Sequence, residues 1–210
     1  MTSDQGVVPR QALALPMVLG TLLVAVPGVM LAGGTEPGRL DRWIQPDVNT
    51  PAAAWGAALA VDWTGGPAGR TILVLIVMGL CLIAGRRRLA VVALVGTILT
   101  SVLTTVLKYV VDRRIHGDFL SYPSGHTAAA TAIGVVLGLL LADLLDVGRV
   151  AGLALVLGLA VACGALMAWV QIDLTAHYPT DTIGGFGCGL LVIPATALLI
   201  DKLSESRRPG

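Results

Sequence analysis

SYPSGHTAAATAIGVVLGLLLA, residues 121–142, opens with a proline, a serine, a glycine and a histidine and then runs on without a charged side chain. The apolar part is long enough to form a helix that crosses a bilayer, which needs about 20 residues. The chemistry-bearing residues sit at its mouth. The same scale of run recurs along the chain, at roughly 11–32, 68–84, 89–111, 123–147, 150–170 and 182–200. Six such runs in 210 residues, with 55% hydrophobic residues, 13% charged residues and a mean hydropathy of +0.83, exceed what a soluble core can bury. The expected fold is therefore an all-α integral membrane protein, a bundle of six transmembrane helices forming one membrane domain over 1–210.

The segment 33–67 between the first two runs mixes charges with Trp43, Trp55 and Trp63, and reads as one or two short interfacial helices. The second run, 68–84, is the shortest. A net charge of +1 without a basic stripe argues against a nucleic-acid partner. Cys81, Cys163 and Cys188 lie inside apolar runs with no metal spacing, so they read as small core residues. No cleavable signal peptide is evident. Arg10, the Arg86–Arg88 cluster, Arg149, Lys202, Arg207 and Arg208 fall on one side of a six-span layout, which predicts cytoplasmic termini. His116, His126 and His177 all fall on the other side, with most of the aromatics.

Two stretches on that outer side have the same construction. In Tyr122-Pro123-Ser124-Gly125-His126 the proline predicts a helix start, whose free N–H groups and partial positive charge suit a phosphate. Gly125 allows close approach of an anion, Ser124 offers a hydroxyl and His126 sits beside them. In Ala176-His177-Tyr178-Pro179-Thr180-Asp181 a second helix start is predicted, with Asp181 four residues after His177. That spacing lets the carboxylate hold one ring nitrogen and leave the other as a lone-pair donor. Lys108, deep in the third run, is costly there unless it faces a polar cavity or reaches the interface. Asp112, Arg113 and Arg114 follow it. Taken singly, an interfacial histidine is more often structural than catalytic, and His116, Asp112 and Asp118 read as loop residues. The set on one face is far more specific than any member.

The order Lys108, then PSGH at Pro123–His126, then His177-x3-Asp181 resembles the type 2 phosphatidic acid phosphatase family, whose core is shared with vanadium-dependent haloperoxidases. The motifs occupy 108–181. The resemblance implies that His177 attacks phosphorus, Asp181 orients it, His126 is general acid and base, and Lys108, Ser124 and Gly125 hold the phosphoryl oxygens, with no cofactor and no metal. The family pattern K-x6-R-P, P-S-G-H, S-R-x5-H-x3-D is incomplete here. Its two arginines fall on Ile115 and Gln171, so Arg113 or Arg114 is expected to replace the first, and Gln171 to donate without charge in place of the second. The implied function is hydrolysis of a lipid phosphate or diphosphate (polyprenyl, phosphatidyl or glycolipid-precursor) at the outer face. A phosphotransferase, a prenyl-diphosphate lyase or cyclase using Asp112, Asp118 and Asp173 for Mg²⁺, and a non-catalytic lipid-binding member are the alternatives. A transporter fits less well, because the charges cluster at one interface and not at mid-membrane.

Overall fold

The computed structural model describes residues 10–45 and 48–206. Eight helices account for nearly all of it: α1 (Arg10–Met30), α2 (Arg39–Ile44), α3 (Trp55–Gly65), α4 (Pro67–Ile83), α5 (Arg87–Val111), α6 (Gly125–Leu144), α7 (Arg149–Asp173) and α8 (Pro179–Glu205). A 3-10 turn, Ala52–Ala54, precedes α3. Between α5 and α6 a two-residue hairpin pairs β1 (Arg114–Ile115) with β2 (Phe119–Leu120), antiparallel. Among the described residues five helices, α1 and α5 to α8, are long and apolar enough to cross a membrane. Taken together, α3 and α4, bent by 76° at Gly66, make a sixth candidate span. The expected six-span bundle is thus present when the bent pair counts as one span, and α2 and α3 occupy the stretch read as short interfacial helices.

The bend has a local cause. Pro67 starts α4 at a position where no N–H is needed, and Gly66 adopts extended backbone as its N-cap. Gly69 then packs so tightly that a Cβ there would lie 2.2 Å from the carbonyl oxygen of Trp63, so no side chain fits the inside of the elbow.

Helix α6 is the centre of the bundle, packed against α5, α7 and α8, while α1 lies along α8. Most α6 residues are buried, and helices approach it closely where side chains are small. A Cβ on Gly138 would lie 2.5 Å from Val156 Cα on α7, and one on Gly185 would lie 2.3 Å from the Ser124 carbonyl oxygen. Lipid gives no hydrophobic drive between helices, so such small-residue contacts carry the association. At the end remote from the histidines, Arg86 pairs with Asp143 and Arg88 with Asp201, tying the α4–α5 connection to α6 and α8. Arg207 and Arg208 lie outside the described residues.

Candidate active site

The predicted start of α6 at Pro123 moves by two residues. The helix begins at Gly125, and Ser124 is its N-cap, its Oγ accepting from the Thr127 N–H at 3.3 Å. The N–H of Ser124 donates to the Asp181 carbonyl oxygen at 2.9 Å. That bond joins the N-terminal ends of α6 and α8, and so brings the PSGH stretch onto His177-x3-Asp181. Tyr122, fully buried, fixes the same junction from the other side: its hydroxyl donates to the Val24 carbonyl on α1 at 2.6 Å. Gly125 faces open space, since a Cβ there would meet only Thr104 Oγ1, at 3.9 Å. An anion can reach the backbone at that point.

Pro179 starts α8 as expected. The Asp181 carboxylate caps it by accepting from the Tyr178 N–H at 2.9 Å. His177 Nδ1 lies 3.7 Å from Asp181 Oδ2, beyond hydrogen-bond length, and among the described residues is buried without a hydrogen-bond partner. Lys108 uses two of its three donors on the Leu120 and Ser121 carbonyls, at 2.7 and 3.1 Å. These bonds hold the ammonium at the mouth of the α6 N-terminus.

The two arginines expected to replace the missing clamp do something else. Arg113 is fully buried: Nη1 donates to Asp181 Oδ1 and Thr180 Oγ1, both at 2.6 Å, and Nη2 to Asp41 Oδ2 at 2.7 Å. Its guanidinium also lies 4.5 Å from the centre of the Tyr178 ring. Arg113 is therefore a structural bridge between α2 and α8. Arg114 turns outward to Asp112 and Asp118. Charge compensation inside the fold captures the first arginine and solvent-side carboxylates capture the second. Gln171 is likewise engaged, its amide donating to Asp62 Oδ1 at 2.6 Å. Asp112 and Asp118 face Arg114, and Asp173 accepts from the Thr50 N–H, so these three carboxylates do not converge. His116 bonds the Thr175 carbonyl through Nε2 at 2.7 Å and pins the hairpin to the α7–α8 turn.

Three residues of the site were not foreseen. Asp62 on α3 lies 3.8 Å from His126 Nε2. Arg70 on α4 comes five residues after Gly65, where a Cβ would lie 2.4 Å from the His126 Cδ2. Asp41 on α2 accepts from the Thr180 N–H and hydroxyl, both at 2.8 Å, besides Arg113. The available signal was a lone acidic residue in the apolar stretch 55–65, which in a membrane helix marks function by default. Burial by itself pushes the Asp41 carboxyl up. The Thr180 N–H, Arg113, the Thr180 hydroxyl and the Gly38 N–H outweigh burial and hold it below the ordinary 3.8. A lowered folded pKa stabilises the fold above the unfolded pKa, and that contribution is lost as pH falls through the folded value. Melting of the detergent-solubilised protein should accordingly fall steeply below about pH 4. Asp41→Asn, already lacking the charge, should melt lower at neutral pH and show a shallower acid limb.

The PAP2 superfamily model matches residues 89–205, more than half of the chain. The protein belongs to the PAP2 superfamily. The matched PAP2 region runs from α5 to α8 and holds Lys108, PSGH and His177-x3-Asp181, whereas Asp41, Asp62 and Arg70 all come from helices before it. The chain is also similar to a solved structure described as the first transmembrane PAP2 type phosphatidylglycerolphosphate phosphatase from Bacillus subtilis. The likeness covers 95% of this chain and 97% of that one, with a TM-score of 0.62 and 19% sequence identity. This extends the shared fold to α1–α4. A search of curated proteins finds no match.

Proposed function

We propose that this PAP2 protein is a lipid phosphatase that works through a phosphohistidine, with its site on the outer membrane face and both termini cytoplasmic. The observation that carries the reading is the Ser124 N–H bond to the Asp181 carbonyl, which sets two histidines at one junction of helix N-termini. His177 Nδ1 faces Asp181, which leaves Nε2 to attack phosphorus. The bond from phosphorus to the leaving oxygen breaks, and His126 supplies that oxygen's proton. His126 then takes a proton from water, the hydroxide attacks phosphorus, and the P–N bond to His177 breaks as phosphate leaves. The Gly125 N–H, the α6 N-terminus and Lys108 stabilise the equatorial oxygens. The basic end at Arg86–Arg88 supports the orientation.

The test is phosphate release by the purified protein in detergent from phosphatidic acid, a polyprenyl monophosphate and a prenyl diphosphate. Release from at least one is expected. No release from any of the three would remove the hydrolytic reading.

A further inference from the structure

Two positions that carry arginine in the family motif are Ile115, buried at 4% exposure, and Gln171, which is held by Asp62. Arg113 and Arg114 are spent on carboxylates. A phosphate monoester carries nearly two negative charges, and Lys108 alone balances one of them. Arg70, in the first turn of α4, is a candidate for the second cation. It is half-buried: its backbone N–H donates to the Gly66 carbonyl at 2.9 Å, and its guanidinium, among the described residues, has no hydrogen bond or ion pair. The elbow between α3 and α4 delivers it. The end of α3 presses on His126 so closely that a Cβ on Gly65 would lie 2.4 Å from the imidazole Cδ2. Arg70 then follows in the first turns of α4.

Arg70 also lines one end of a groove of about 530 Å³ between α4 and α5. The groove walls include Val74, Leu75, Leu94, Ile98 and Val102. Its hydroxyls spend their protons on the backbone: those of Thr71, Thr97, Ser101 and Thr105 donate to carbonyls one helical turn back. The groove is thus apolar along its length and cationic at one end. That is the complement of a single hydrocarbon chain ending in an anion.

We infer that Arg70 replaces the absent motif arginines as an anion-binding residue, and that the α4–α5 groove holds the hydrocarbon chain of the same lipid phosphate. The inference deepens the phosphatase reading and rests on it for the identity of the ligand. An arginine at this place forks onto two phosphoryl oxygens, which a lysine does not.

The experiment measures binding without turnover. In a His177→Ala background, thermal stabilisation by phosphatidic acid, by diacylglycerol and by inorganic phosphate is titrated in detergent. Phosphatidic acid is expected to stabilise far more strongly than either of the others. Adding Arg70→Gln should weaken phosphatidic acid binding by about 10- to 100-fold, and Arg70→Lys should restore part of it. The ligand-free melting temperatures of the Arg70 variants show that they are folded. An unchanged phosphatidic acid affinity in Arg70→Gln, or no stabilisation of the His177→Ala parent, overturns the proposal. Equal stabilisation by inorganic phosphate and phosphatidic acid overturns the assignment of the groove. Arg70-dependent binding in a protein whose His177-containing form releases no phosphate would leave this inference standing and remove the phosphatase reading instead.

Discussion

Replacing His177 with alanine is expected to lower phosphate release by on the order of 10⁴-fold or more while leaving the bundle folded. The size follows from the role of the residue: without a nucleophile no covalent intermediate forms, and water must attack directly. The intact fold follows from the structure. Among the described residues His177 Nδ1 makes no hydrogen bond, and the approach to Asp181 is 3.7 Å, so truncation breaks little that holds the chain together. The backbone bond from the His177 N–H to the Gln171 carbonyl survives the change. His126→Ala should cost less, roughly 10²- to 10⁴-fold, because a proton donor is easier to replace with solvent than a nucleophile is. Phosphate release by both variants, set beside their melting temperatures, checks the ordering. Full activity in His177→Ala would exclude the phosphohistidine.

Replacing Arg113 with alanine should destabilise the protein by about 3–5 kcal/mol. Arg113 is the only bridge between the buried carboxylates of Asp41 and Asp181 among the described residues. Both carboxylates are fully buried, so its removal leaves two anions near each other in low dielectric. A fall in melting temperature on the order of 10 °C is expected for a chain of this length. Arg113→Lys should recover only part, since one ammonium does not fork between two carboxylates. Arg114→Ala, which removes a half-exposed pair to Asp112 and a pair to the fully exposed Asp118, should leave the melting temperature nearly unchanged. Thermal unfolding in detergent separates the two neighbours. Arg113→Ala melting with the parent protein would show that the buried bridge contributes nothing.

These adjacent arginines show where the reading of residues stops. Asp112 ends α5 in the left-handed conformation, φ 49 and ψ 35, and the chain leaves it extended. Successive side chains of an extended segment point to opposite sides. Arg113 goes inward and Arg114 outward, and nothing in Asp-Arg-Arg says which way round. The same limit applied to Asp62 and Asp41. Asp62 bonds a residue 109 positions away, and Asp41 one 139 positions away. Each looked like an interfacial charge until α3 and α2 were laid against α7 and α8.

The features carried by local physics were legible in the residues themselves. Run length against bilayer thickness gives the spans, proline and serine chemistry gives the helix starts, and the short separation along the chain keeps Asp181 near His177. All of these depend on separations shorter than one helix. Charge compensation does not: which anion neutralises Arg113, and which cation is left for a phosphate, depends on helices from opposite ends of the chain meeting in a medium where unpaired charge is costly. That pairing exists only once the bundle has closed.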